Sequence, residues 1–367
     1  MKYKLELILL WFIGTSVCTS AAMTQFEPGL DAWPDTNGVH INAHGGGVLF
    51  HEGVYYWFGE HKIAGRRGNS AQVGVHCYSS GDLYNWTDEG VALPVSEDRD
   101  SEIVAGCVIE RPKVIYNAKT ETFVMWFHLE LRGRGYAAAR TGLAVSDTVT
   151  GPYTYQKSFR PNAGVEPVNG IQQAKMPDGV DYFHRDFEEG QMSRDMTVFV
   201  DDDGKAYHIH SSEENYTLHI SELTEDYRDF TERYARILPG GHNEAPAICK
   251  YQGKYYMITS GCTGWAPNAA RSMVADNILG PWKMLDNPSR GTNPHNELGP
   301  DKTFGAQSTF ILPVHGKKDA FIAMFDVWQP RNPIDGKYIW LPVKFDENNI
   351  IVQWQDQWDL SFFEETP

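Results

Sequence analysis

The sequence predicts an all-β protein, a five-bladed β-propeller, on three observations. Five segments of the 367-residue chain share one shape: a polar residue, an apolar strand, a turn, then an aromatic-rich strand. They span 44–60, 110–128, 195–212, 244–261 and 307–325. The turn falls nine residues after the leading polar residue in every case, at Gly53, Lys119, Gly204, Gly253 and Gly316. Each hairpin is followed by a second pair of strand signals, over 73–90, 141–159, 216–234, 270–285 and 338–358. Four-stranded units repeated at a regular period are the signature of sheets arranged radially about an axis.

Along the chain, residues 1–22 read as a signal peptide. Lys2 and Lys4 precede an apolar stretch from Leu5 to Val17, and small residues Thr19 to Ala22 follow as a cleavage site. Lipidation of Cys18 is a secondary reading, because Val17 is a poor residue before a modified cysteine. No other stretch has the length of a membrane span. The expectation is therefore an exported protein, periplasmic or extracellular, with one propeller domain over 23–367. Both arms of each hairpin are rich in β-branched and aromatic residues, as strands prefer. Four of the five turn positions are glycine, which suits a tight hairpin needing positive φ. The aromatic pairs recur at fixed phase, so most of the 13% aromatic content is blade packing. Two stretches rich in Gly, Pro, Asn and charge, 160–190 and 286–305, fall outside the repeat. Both directly precede a leading polar residue, so both are expected at one propeller face, where they would wall a pocket.

Composition removes other classes. The formal net charge is −16, which disfavours nucleic acid and anionic membranes as partners. With 41% hydrophobic and 22% charged residues the chain can bury a core. After leader removal four cysteines remain, Cys77, Cys107, Cys249 and Cys262. They could form two disulfides, their spacings match no zinc pattern, and buried free thiols are the favoured reading. The Asp201-Asp202-Asp203-Gly204 run lacks the later ligands of a calcium loop and reads as a hairpin turn. No metal ligands are assigned and no cofactor is required; a structural calcium ion is possible but not indicated.

In a propeller the first strand of each blade lines the axis, so the residues opening those strands converge on one mouth. Here they are His44, Glu110, Asp195, Glu244 and Gln307. Clustered carboxylates raise one another's pKa, so one can stay protonated as a general acid while another stays ionised. That is the layout of glycosidic-bond hydrolysis. Trp57, Trp126, Tyr136, Trp265 and Trp328 are candidates for stacking on sugar faces, with Tyr136 and Trp265 foremost. Arg66-Arg67 and Arg132-Arg134 lie in loops after second strands and are candidates for the pocket rim.

At this point the chain resembles glycoside hydrolase family 43, whose fold is a five-bladed propeller. The stretch from Arg194-Asp195 to Asp203-Gly204 resembles the motif whose leading Asp tunes the acid's pKa, and Asn243-Glu244-Ala245-Pro246 resembles the motif carrying that acid. The match is greatest to the branch of exo-β-1,3-galactanases. It rests on Tyr56-Trp57-Phe58-Gly59-Glu60, Glu110-Arg111-Pro112-Lys113-Val114, Val124-Met125-Trp126-Phe127-His128, Gly264-Trp265-Ala266-Pro267-Asn268 and Tyr338-Ile339-Trp340. Most of the family opens the first blade with an Asp general base. Here that position is His44, and the galactanase branch shares the gap. The resemblance implies inverting hydrolysis with Glu244 as acid, Asp195 holding its pKa up, and water positioned by Gln307 or Glu110. An ordinary amide cannot take a proton at neutral pH, so Gln307 would act through geometry or an imidic tautomer. Glu60, His44, Tyr136, Trp265 and Asn268 stand as substrate-binding candidates.

The leading expectation is an exo-acting hydrolase releasing terminal galactose from β-1,3-galactan or arabinogalactan, with an oligo- or polysaccharide as its partner. A second reading keeps the mechanism and changes the sugar to an α-L-arabinofuranoside or β-D-galactofuranoside. A third is a non-catalytic sugar-binding propeller, against which Asp195 and Glu244 stand in phase. Oligomeric state is not legible.

Overall fold

The computed structural model describes residues 22–172 and 176–364; nearly all of the expected leader lies outside them. Five sheets form in chain order, antiparallel but for one edge pair in the fifth. Blade one is β1 (His44–His51), β2 (Val54–Lys62), β3 (Gln72–Ser80) and β4 (Thr87–Pro94). Blade two is β5 (Val108–Asn117), β6 (Thr122–Glu130), β7 (Arg140–Ser146) and β8 (Thr154–Phe159). Blade three is β9 (Met196–Val200), β10 (Ala206–Ser212), β11 (Thr217–Leu223) and β12 (Phe230–Ile237). Blade four is β13 (Asn243–Tyr251), β14 (Lys254–Gly261), β15 (Arg271–Ala275) and the short β16 (Lys283–Met284). Blade five gains a strand at its rim: β17 (Ser289–Arg290) runs parallel to β21 (Asn349–Gln353), outside β18 (Gln307–Pro313), β19 (Phe321–Val327) and β20 (Lys337–Asp346).

The innermost strands close a ring: β1 packs on β5, β5 on β9, β9 on β13, β13 on β18, and β18 back on β1. The five-bladed propeller is thus observed. The expected turn glycines Gly53, Gly204, Gly253 and Gly316 have φ of 88°, 80°, 79° and 79°. A Cβ at any of them would meet nothing, so backbone angle and not space demands glycine. In blade two the positive φ falls on Glu121 (53°), inside a longer turn around Lys119.

The seam between blades one and five is aromatic. Trp57, Trp86, Tyr338 and Trp340 share one buried cluster with Phe26, Trp33 and Trp358 from outside the blades. Phe26 stacks on Trp358 at 4.4 Å, and the two exchange backbone hydrogen bonds of 2.7 and 3.0 Å. Trp57 and Trp126 are 1% and 0% exposed, which makes them core residues and removes them as sugar platforms. The described cysteines are all unpaired thiols, buried except for the partly exposed Cys262. Lys250 forms ion pairs with Asp201 at 2.6 Å and Asp202 at 2.8 Å, so a side chain partly offsets the acidic turn. No helix of the described residues is long and apolar enough to cross a membrane.

At Gly46 a Cβ would sit 2.0 Å from the Phe58 carbonyl oxygen, because β1 and β2 approach closely there. Gly46→Ala is expected to cost about 1–3 kcal/mol of overpacking, read as a lower urea midpoint at unchanged m-value.

Candidate active site

The leading residues are aimed by one local device. In blades one, two and four the ladder skips two residues just after the leading position, between His44 and Gly47, Glu110 and Lys113, and Glu244 and Ala247. The next residue takes positive φ: Gly45 at 62°, Arg111 at 57°, Ala245 at 53°. Blade five has a milder shift between Ser308 and Phe310. A bulge bends its strand and re-aims the side chain beside it, and bulges are common next to active sites. In blades two and four it accompanies side chains, Glu110 and Glu244, that face the cavity.

The cavity has a volume of about 510 Å³, a size usual for small-molecule sites. Glu110, Asp195, Glu244 and Gln307 line it with Glu60, Tyr136 and Trp265, as the repeat phase predicts. His44 and Asn268 do not. His44 is buried, stacks on Tyr338 at 5.0 Å, and is held near pKa 3 by burial and then by Lys62. Asn268 clamps its own loop, accepting from the Gly261 amide at 2.7 Å and donating to the Gly261 carbonyl at 2.9 Å. Both serve the site from behind, and neither reaches the cavity.

Arg111 is the hub. Its Nη2 donates to Asp195 Oδ2 at 2.8 Å and to Gln307 Oε1 at 2.6 Å. Nη1 donates to the Ser308 carbonyl at 3.1 Å, and the backbone N–H donates to Glu60 Oε1 at 3.1 Å. Burial opposes its charge, but Asp195, Glu60, Asp326 and Glu110 around it keep the guanidinium firmly ionised. Gln307 Oε1 takes a second bond from Trp328 Nε1 at 2.9 Å, while its Nε2 donates to Ser260 Oγ at 2.8 Å. The amide is therefore fixed with its oxygen already accepting twice.

Glu110 accepts from the Tyr136 hydroxyl at 2.7 Å and lies 2.9 Å from His128 Nδ1. His128 stands opposite Glu110 in the β5–β6 register, and its Nε2 is 3.0 Å from Glu130 Oε1. Burial pulls the imidazole down, but the two flanking carboxylates lift it to about 9. Burial likewise pushes the Glu110 carboxyl up, and His128, Lys62 and Tyr136 outweigh it, leaving it at about 2. Glu244 is the opposite case. Burial and the charge of Asp195 push its carboxyl up to about 7, with Arg111 only partly opposing. Its Oε1 accepts from Asn215 Nδ2 at 2.7 Å. Two carboxylates in one cavity thus differ in pKa, one held ionised and one held protonated, which is how acid and base roles separate.

Atoms of Glu110, His128 and Asp195 lie within 4.8 Å of one another, close enough to share a cation. Imidazolium and guanidinium already balance those carboxylates, and three donors are half of what calcium needs.

Repeat phase missed three contributors. Arg111 follows a leading residue on the bulge, where phase alone assigns nothing. His128 could have been found by counting the hairpin pairing back from its turn. Asp326, opposite Gln307 in register, accepts from the Gly45 amide at 2.6 Å and is pushed to about 7 by burial and then by Glu60, against Gly45, Arg111 and Lys113. Trp328 joins Tyr136 and Trp265 at the cavity wall, edge-on to Trp265 at 5.9 Å. The stretches 160–190 and 286–305 do not wall the cavity among the described residues; loops 67–69 and 264–265, with Tyr136, do. The reason is anchoring. Residues 286–305 are drawn to the rim of blade five by β17, and the earlier stretch braces the wall from outside, as Arg160 donates to the carbonyls of Ala137 and Ala138.

The sequence profile of "Glycosyl hydrolases family 43" matches residues 47–303. Among solved structures, a family 43 β-1,3-galactosidase with galactodeoxynojirimycin is 51% identical, with a TM-score of 0.83 over 91% of this chain and 100% of that one. An exo-β-1,3-galactanase from Clostridium thermocellum is 37% identical, with a TM-score of 0.76 over 91% of this chain and 67% of that one. An exo-β-1,3-galactanase from Phanerochaete chrysosporium with galactose is 33% identical, with a TM-score of 0.75 over 92% and 68%. Comparison with curated proteins gives no match.

Proposed function

The chain belongs to glycosyl hydrolase family 43 and is a glycosidase; from that premise we propose that it is an exported, inverting, exo-acting enzyme that removes terminal galactose from β-1,3-galactan. The solved relatives named for β-1,3-galactosidase and exo-β-1,3-galactanase activity support the sugar and the linkage. The observation that carries the chemistry is the split between Glu244, at about 7, and Glu110, at about 2.

Glu244 donates its proton to the leaving oxygen, and the charge of Asp195 keeps that proton available. Water attacks the anomeric carbon from the opposite face. Glu110, ionised at every working pH, takes the water's proton. Gln307, whose oxygen already accepts from Arg111 and Trp328, orients the water through its remaining N–H. The buried floor of Glu60, Glu110, Arg111 and His128 gives the pocket a blind end, which suits removal of end units. Tyr136 and Trp265, 42% and 44% exposed, present aromatic faces to the sugar. The leader and the free thiols fit export without disulfides.

Purified protein offered β-1,3-galactan and chromogenic galactopyranosides, galactofuranosides and arabinofuranosides should release galactose from the first, with inverted anomeric configuration by NMR. Furanoside release would redirect the sugar, and saturable binding without release would leave a sugar-binding propeller. The pH profile follows from the sign of the Glu244 shift. The acid must be protonated, and its raised pKa keeps it so up to about pH 7, so kcat should fall by about tenfold per unit above that. A rate still level at pH 9 would refute Glu244 as the acid.

A further inference from the structure

We propose that the preferred substrate is an acidic galactan, one whose units beyond the terminal galactose carry carboxylate-bearing, uronosyl substituents; this rests on the galactanase reading above. Six arginines make no side-chain hydrogen bond or ion pair among the described residues: Arg66, Arg67, Arg99, Arg132, Arg134 and Arg331. All but Arg99 sit on loops leaving the second strands of blades one, two and five, at the face where the cavity opens. Arg67 lines the cavity itself. The loop carrying Arg66 and Arg67 is tied to the loop carrying Arg331, since the Gly65 amide donates to Asn332 Oδ1 at 2.8 Å. Arg194, also in the cavity wall, has a buried Nε with no partner.

The carboxylates of this face lie on the crossovers between blades, such as Glu97, Asp98, Asp100, Asp186 and Asp301, and only Asp335 shares a loop with these arginines. The loops 63–71, 131–139 and 262–269 contain no carboxylate. In the fifth-blade loop Asp335 accepts from Asn332 at 2.7 Å. In the third-blade loop Glu213 is paired with Arg236, and Glu214 with Arg185 and Arg194. On a chain of net charge −16, five guanidinium groups without partners gather on the loops of three neighbouring blades. A neutral galactan can accept hydrogen bonds from these groups but gains nothing from their charge. A glycan bearing carboxylates gains both an attractive field at the mouth and bidentate partners, because the guanidinium fork matches a carboxylate.

The test compares three substrates of one backbone length at low and high ionic strength: β-1,3-galactan oligosaccharide, the same bearing a uronosyl branch, and the same bearing a sulfate ester. Wild-type kcat/KM should be about tenfold higher on the uronosyl substrate at low salt, with the advantage fading at high salt. The R66Q/R132Q/R134Q/R331Q variant removes only exposed side chains without partners, so it should fold normally. It should lose that advantage and keep wild-type activity on the neutral oligosaccharide. Equal rates on neutral and uronosyl substrates, or an advantage surviving in the variant, would overturn the proposal. Preference for the sulfate ester would overturn the choice of carboxylate. Inactivity on every substrate, the neutral one included, would instead fail the galactanase reading on which the proposal stands.

Discussion

Glu244→Gln should lower kcat on β-1,3-galactan by about a hundredfold to ten-thousandfold, the range for loss of a positioned general acid. The amide keeps the volume and can still pair with Asn215, so folding and sugar binding should persist. The loss should depend on the leaving group. An aryl galactoside whose phenolate departs without protonation should be cleaved at a rate much nearer wild type, and the fall above about pH 7 should vanish with the carboxyl that causes it. Equal loss on alkyl and activated aryl galactosides would move the acid role elsewhere.

Arg111→Met should affect stability and chemistry together. The guanidinium is buried and bonds Asp195, Gln307 and the Ser308 carbonyl, linking the third and fifth blades through the second. Removing one partner of a buried ion pair leaves the other uncompensated, at about 3–5 kcal/mol. The chemical effect has a definite sign. Arg111 lowers the Glu244 pKa, so without it the carboxyl rises further and the alkaline limb of the pH profile moves upward. Arg111→Lys keeps the charge but not the fork, and should restore part of the stability while leaving Gln307 poorly oriented. Urea denaturation and pH–rate profiles on both variants check this. Unchanged stability in Arg111→Met would mean that the network is not what holds the floor together.

The fold was legible because a propeller repeats itself. Four of the five hairpins carry a turn glycine, and all have arms rich in β-branched and aromatic residues, so five weak local signals reinforce one another. The same repeat located Glu110, Asp195, Glu244 and Gln307, since position in the repeat maps onto position about the axis. It failed where neighbours in space are not neighbours in phase. His44 occupies the right phase, but the bulge at Gly45 and the stack on Tyr338 hold it beneath the floor. Arg111 and Asp326 sit off phase, and their partners lie on other blades. Trp265 and Tyr136 were separable from the core aromatics because each sits in a loop after a second strand. Trp328 sits in such a place too, yet its role shows only through the bond to Gln307. The two long stretches misled because length suggests a wall, whereas β17 shows one of them bound into a sheet edge.

The aromatic seam bears on how activity is acquired during folding. The Phe26–Trp358 pairing and the Trp57–Trp340 contact join residues nearly a whole chain apart, the kind of contact that forms late and slowly. Gln307 belongs to the last blade and Glu110 to the second, and Arg111 touches both Asp195 and Gln307 only once the circle is complete. A chain with four sheets formed and the circle open therefore has strands but no catalyst. Turnover is expected to appear all at once with closure, and the appearance of glycosidase activity during refolding would time that single event.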